Sequence, residues 1–156
     1  MTAPEPVVSR LRAEHGRVLG SLIEGQRYVA LLDYPNHSNV GDSAIWLGET
    51  DFLAQLGARI VYVCDVETYD ERALRARIGD GLILLHGGGN LGDLWPRHQE
   101  LRERVVADFP DNDIVQLPQT IHFRDPASAE RAGRLVDRHE HFTLLVRDTL
   151  SGHSRK

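Results

Sequence analysis

GLILLHGGGNLGDLW, Gly81–Trp95, joins a continuous apolar run to three consecutive glycines. GLILLH, Gly81–His86, reads as a strand, and its apolar run shows no alternation with polar residues, which is the pattern of a strand covered on both faces. The glycines stand where that strand ends, so the segment reads as a strand and a tight turn leading toward a helix. Working outward, four more runs read as strands: Arg27–Asp33 (RYVALLD), Arg59–Asp65 (RIVYVCD), Asp113–Pro118 (DIVQLP) and Phe142–Asp148 (FTLLVRD). Segments of helical period lie before and between them, at Val7–Ile23, Asp42–Gly57, Asp70–Ile78, Pro96–Pro110 and Pro126–His139. In the first of these, Val8, Leu11, Val18, Leu19 and Leu22 recur at helical spacings. Gly57 suits a C-terminal stop, Asp70 a helix start and Pro96 a first turn. Regular alternation of strand and helix predicts an α/β fold, a Rossmann-like sheet of five parallel strands flanked by helices.

In such a sheet every carboxyl end lies on one edge, and ligands gather there at the topological switch point. The segments that leave this edge are Asp33–Trp46 (DYPNHSNVGDSAIW), His86–Trp95, Leu117–Pro126 and Arg147–Ser151, all polar and several rich in Gly and His. Strand order 2-1-3-4-5 is preferred to 3-2-1-4-5, because it sets the first and third strands side by side. Asn39–Asp42 then meets the glycine run at the switch point.

Each candidate has a structural reading beside the chemical one. NVGD (Asn39–Asp42) and NLGD (Asn90–Asp93) share Asn-x-Gly-Asp. Asn and Gly tolerate positive φ, and Asp is a good N-cap, so Asp42 suits a cap and Asp93 a turn. One turn does not need three glycines, so the amides of Gly87, Gly88 and Gly89 are expected to face an anion, aided by a helix N-terminus. This is neither a Walker loop nor G-x-G-x-x-G. By residue type alone, His98 and His122 are solvated, and Arg102 and Arg147 are surface or ion-pair residues. At a strand end, either arginine could instead grip a carboxylate or phosphate. Trp46 and Trp95 read as core or cover before they read as sugar platforms.

The 156 residues fit one domain, with an ordinary 41% hydrophobic and 26% charged composition. The net charge of -5, with no basic patch, argues against a nucleic-acid partner. One cysteine, Cys64, permits no internal disulfide. No apolar run approaches the roughly 20 residues of a membrane span, and the N-terminus lacks a signal core. The eight histidines show no zinc spacing, so no metal site is expected.

Taken together, NVGDSAI (Asn39–Ile45), GGGNLGDLW (Gly87–Trp95) with His98 and Arg102 after it, FPDNDIVQLPQTIHF (Phe109–Phe123) and RDTLS (Arg147–Ser151) resemble the polysaccharide pyruvyl transferase family. The resemblance runs from about Leu32 to Ser151. It implies transfer of an enolpyruvyl unit from phosphoenolpyruvate to sugar hydroxyls, closing a pyruvate ketal in exopolysaccharide or cell-surface polysaccharide biosynthesis. It implies no cofactor beyond the phosphoenolpyruvate donor, a saccharide acceptor that is free or lipid-linked, and a cytoplasmic setting extending to the inner membrane face. It also implies two lobes in a glycosyltransferase-B-like arrangement, with residues 1–156 as one Rossmann-like domain. The second lobe, expected to bring further Arg and His groups to the donor, lies beyond this sequence. Activity is therefore expected to need that lobe or a homo-oligomer. On the matched motifs, Asp42, Asp93, His98 and His122 are the expected acids and bases. Asn39, Gly41, Gly87, Gly88, Gly89, Asn90, Arg102, Gln119, Thr120 and Arg147 are the expected substrate-binding residues. The alternatives are a nucleotide-sugar glycosyltransferase lobe and a non-catalytic lobe that binds a saccharide or pairs with a missing half.

Overall fold

The computed structural model describes residues 7–147. Asp148–Ser151 of the last motif therefore lie outside the described residues. In chain order the elements are α1 Val7–Ile23, β1 Tyr28–Leu32, α2 Val40–Gln55, β2 Arg59–Cys64, α3 Glu71–Ile78, β3 Leu82–Leu85, β4 Gly88–Gly92, α4 Pro96–Asp108, β5 Ile114–His122, α5 Pro126–Arg138 and β6 Phe142–Val146. All strand pairings are parallel. The five expected strands lie in the expected 2-1-3-4-5 arrangement, here β2-β1-β3-β5-β6.

The addition is β4, in a stretch read from sequence as a turn. β5 runs nine residues, past the end expected at Pro118. Its first half pairs with β3 (Ile83↔Ile114 to Leu85↔Gln116), and its second half pairs with β4 (Gly88↔Gln119 to Gly92↔His122). The partner strand is broken at His86–Gly87, opposite Leu117–Pro118. Proline has no N–H for a ladder, and the break falls where that donor is missing. A Cβ on Gly87 would stand 2.9 Å from the Pro118 carbonyl oxygen, so glycine is required for the two backbones to pass.

Strands β1 and β3 are buried on both faces, and their residues divide by period two. Ala30, Leu32, Ile83, Leu85 and Ile114 join Leu74 and Ile78 of α3, and Leu101, Val105 and Val106 of α4. Val29, Leu31, Leu82, Leu84 and Val115 face Ile23 of α1, and Trp46 and Leu53 of α2. Of the apolar stripe expected on α1, Leu19 and Leu22 pack on the sheet, whereas Val8 and Leu11 are exposed. Length explains the difference: 17 helical residues extend about 25 Å, but a five-residue strand extends only about 17 Å. Asp70 caps α3 by accepting the Ala73 N–H at 3.0 Å, and Gly57 follows α2 at φ +73°, both as the sequence implies. Among the described residues no helix is long and apolar enough to cross a membrane.

Two glycines separate backbone necessity from mere tolerance. At Gly92 (φ +129°) a Cβ would lie 1.7 Å from the His122 carbonyl oxygen, whereas at Gly133 in α5 it meets nothing within 4 Å. Urea unfolding of Gly92→Ala should show a loss of more than about 1–3 kcal/mol. Gly133→Ala should gain about 0.5–1 kcal/mol from helix propensity. Equal behaviour of the two variants would refute the β4–β5 register.

Candidate active site at the carboxyl edge of the sheet

Asp33 follows β1 directly and is the one non-glycine residue with positive φ (+70°) among those described. Aspartate enters this region at lower cost than most side chains. The turn sends its carboxylate under the carboxyl edge, where it is fully buried. Oδ1 lies 2.6 Å from Nδ1 of His98, in the first turn of α4. Oδ2 accepts from Arg102 Nη2 at 3.0 Å and from Asn90 Nδ2 at 3.3 Å. Arg102 also donates Nε–H to Gln116 Oε1 at 2.7 Å, Nη1–H to the Asn90 carbonyl at 3.1 Å, and Nη2–H to Asn90 Oδ1. Gln116 Nε2 donates to the Leu85 and His86 carbonyls, and Gln119 Nε2 to the His86 carbonyl and Asn90 Oδ1. Strands β1, β3, β4 and β5 and helix α4 thus meet in one buried polar network.

A buried ion pair is tolerable only when its remaining donors and acceptors are also satisfied, and here they are. Burial pushes the Asp33 carboxyl up. The hydrogen bond from His98 and the charge of Arg102 more than offset this, leaving it below the usual carboxylate value. Burial lowers Arg102, against the opposing pull of Asp33. An ionised carboxylate only accepts, so His98 carries a proton on Nδ1 in this contact, and its neutral form offers a lone pair at Nε2. His98 is half-buried, with the His37 ring edge-on at 6.3 Å.

The remaining expected residues fall into separate groups. Asn39, not Asp42, is the N-cap of α2: its side chain accepts the Gly41 N–H at 2.9 Å. Asp42 sits in the first turn, where it accepts from Asn39 Nδ2 at 2.8 Å and faces His37 Nε2 at 3.6 Å. Its Oδ1 stands 3.4 Å from where a Gly88 Cβ would be, so NVGD and the glycine run do meet. Gly88 has φ +132°, as a glycine position can. The glycine run is not an open amide cradle, however, because the Gly87 N–H is taken by Glu49 Oε1 at 2.9 Å. Arg102, expected as an anion anchor, is buried inside the network and does not face outward. Asn90 and Gln119 likewise turn their side-chain amides inward. Gly89 is exposed, and a Cβ there would lie 3.5 Å from Arg147 Nη2. Arg147 is exposed and donates Nε–H to Thr120 Oγ1 at 2.6 Å, so unlike Arg102 it faces solvent.

Asp93 and His122 lie together at the end of β4 and β5, where Asp93 bonds to the start of α5 while His98 bonds to Asp33. Asp93 accepts the backbone N–H groups of Arg124 and Asp125 at 2.7–2.9 Å. The bond from Asp125, followed by that from Arg124, holds its carboxyl below the usual value. That is a tie between the end of β4 and the start of α5. His122 is exposed, and its carbonyl accepts the Asp93 N–H at 3.3 Å. Trp46 is buried against His86 and Tyr34, and Trp95 is exposed just before α4. Burial pushes the Cys64 thiol up to about 11, which leaves it unreactive.

Sequence reading passed over Asp33, His37, Glu49, His86 and Gln116. Two of them carried a signal. Gln116 is a polar residue inside the apolar run DIVQLP, and Asp33 ends RYVALLD at the switch point. The pairing of Glu49 with His86 had none, since 37 residues separate them.

Comparison with known proteins places the chain among relatives. Residues 39–152 match the family model described as polysaccharide pyruvyl transferase. The chain is 38% identical over 133 residues to Pyruvyl transferase 1 of Schizosaccharomyces pombe, covering 81% of this chain and 33% of that protein. It is 30% identical over 131 residues to EpsO of Bacillus subtilis, covering 83% and 40%. It thus spans about a third to two-fifths of the length of these curated relatives. The fold resembles the crystal structure of a functionally uncharacterized protein of Klebsiella pneumoniae. That likeness has a TM-score of 0.50 at 16% identity and covers 86% of this chain and 54% of that one.

The buried pair predicts a pH signature. Asp33→Asn keeps a residue that tolerates positive φ but leaves the Arg102 charge buried without a counter-ion, which should cost about 3–5 kcal/mol at neutral pH. The native Asp33 carboxyl titrates below its ordinary value of 3.8. Its stabilisation is therefore fully present above that value and is lost as pH falls through the lower native one. Denaturant unfolding of both proteins should give a gap that is constant near neutrality and narrows below about pH 4. A gap that widens in acid would refute the assignment.

Proposed function

This chain belongs to the polysaccharide pyruvyl transferase family, and from that premise we propose that it supplies the hydroxyl-activating side of pyruvyl transfer from phosphoenolpyruvate to a saccharide. The observation that carries the reading is the Asp33–His98 contact, which is linked to Asp42 through His37: the His37 ring is edge-on to His98 at 6.3 Å and its Nε2 is 3.6 Å from Asp42 Oδ2. His98 is oriented through Nδ1, and its Nε2 takes the proton of an acceptor hydroxyl, as a carboxylate-backed imidazole does in general-base catalysis. The hydroxyl oxygen bonds to C2 of the donor while C3 receives a proton. The C2–O bond to phosphate then breaks, and a second hydroxyl of the same sugar closes the ketal. Of the two acceptor protons one is matched by the proton gained at C3, and the other leaves with inorganic phosphate.

The electrostatics of this edge favour the acceptor. Asp42 is a carboxylate, Asp33 and Arg102 neutralise each other within the network, and Glu49 occupies the Gly87 amide. A neutral polyol suits such a surface better than a multiply charged anion. In this reading Arg147, beside Gly89 and Thr120, is the cation that meets the donor's carboxylate or phosphate. In this reading the full activity needs the remaining length present in the relatives. The products are exopolysaccharide or cell-surface saccharides made in the cytoplasm, at the membrane face when the acceptor is lipid-linked.

The test is ketal formation from phosphoenolpyruvate and a saccharide diol, with this chain supplemented by the rest of a relative. His98→Gln should lower the rate by about 10²–10⁴ with melting little changed. Asp93→Asn should keep the rate close to that of the unmodified protein. Normal turnover by His98→Gln, or failure to form ketal from any diol, would overturn the proposal.

A further inference from the structure

Asp42, Ile45 and Glu49 fall at i, i+3 and i+7 of α2, so they share one face of the helix. That face lies on the β3–β4 junction. A Cβ built on Gly88 would stand 3.4 Å from Asp42 Oδ1 and 4.0 Å from Ile45, and one on Gly87 would stand 3.1 Å from Glu49 Oε1. Glu49 makes two bonds there. Oε2 is 2.6 Å from His86 Nδ1, and Oε1 accepts the Gly87 N–H at 2.9 Å. The His86 side chain is 2% exposed, Trp46 packs edge-on against its ring at 5.5 Å, and Nε2 is buried without a hydrogen-bond partner. The His86 backbone is fixed as well: its N–H donates to Leu32 O at 3.0 Å, and its carbonyl accepts from Gln116 and Gln119.

We propose that Glu49 is a positioning residue for the site. By gripping His86 and Gly87 at once, it sets the distance between α2 and the glycine strand, and so holds Asp42 against Gly88. The carboxylate can only accept, so the His86 proton sits on Nδ1, and the orphaned Nε2 is left as a bare lone pair rather than a buried, unpaired N–H. Glutamine cannot reproduce this. It can accept the Gly87 N–H, but its NH₂ then faces Nδ1. The imidazole must then move its proton to Nε2, where no acceptor exists. This inference rests on the reading of Asp42 and Gly88 as part of the reactive surface.

The experiment is solution NMR of this chain with neither donor nor saccharide present, so failure of the proposed reaction leaves its outcome untouched. Nitrogen-15 imidazole spectra should show His86 protonated at Nδ1 in the unmodified protein and at Nε2 in Glu49→Gln. In Glu49→Ala, exchange of the Gly87 amide should accelerate by about tenfold, the equivalent of one hydrogen bond to a charged group. In both variants the side-chain amide of Asn39, which donates to Asp42, should shift with the Gly88 backbone amide. Perturbation confined to His86 and Gly87, with Asn39 and Gly88 unmoved, would reduce Glu49 to a local contact and overturn the proposal. So would an unmodified His86 protonated at Nε2. If Glu49→Ala does not fold, the near-isosteric Glu49→Gln decides the question alone.

Discussion

The buried charge pair of Asp33 and Arg102 is the constraint around which this molecule is arranged. Removing two charges from water carries a penalty of several kcal/mol per ion unless each finds complete hydrogen bonding. The fold meets that demand with groups from two strands and a helix: Asn90 and Gln116 turn side-chain amides onto the pair, His98 donates to Asp33, and Gln119 holds Asn90 in place. Several features that look independent follow from it. Asp33 takes a left-handed backbone conformation, and from it the carboxylate reaches both His98 and Arg102. Gln116 is polar in the middle of a buried strand because Arg102 Nε needs an acceptor there. His98 gains a fixed tautomer because it donates to the second oxygen of the same carboxylate.

That arrangement also explains how the glycine-rich segment differs from its first reading. Three glycines after a strand suggest unblocked amides waiting for an anion. In the folded chain each has a separate reason. Gly87 lets two backbones and a helix converge, Gly88 takes positive φ beneath Asp42, and Gly89 leaves room beside Arg147. The segment continues the sheet instead of leaving it, and this carries the site outward along β4 and β5.

How much was legible depended on the range of the interactions involved. Continuous apolar runs and helical periods are local, and they gave the elements; the juxtaposition of Asn39–Asp42 with Gly88 followed from the order that loop chemistry favoured. β4 was missed because its pairing partner lies about thirty residues on and its composition reads as a turn. Roles proved harder than places. Arg102 and Asp93 are residue types suited to catalysis, yet one is buried as a counter-ion and the other ties two backbone amides. Only the tertiary hydrogen-bond pattern separates such roles. Asp33 shows the reverse: an acidic residue ending a strand is unremarkable until His98 and Arg102, 65 and 69 residues away, arrive at its two oxygens.

Strand β5 has one further consequence, for the tolerance of the chain to change. Among the described residues it alone pairs with three other strands: β3 and β4 in succession along one edge, and β6 along the other. A substitution that shifts β5 by a fraction of an ångström is therefore felt at once by the strand before His86, by the glycine strand and by the strand leading to Arg147. Pairs of changes in these neighbours should combine non-additively, because each alters the same shared reference. Drift in this region of the sequence must then be concerted, with β5 varying least freely among elements of comparable burial.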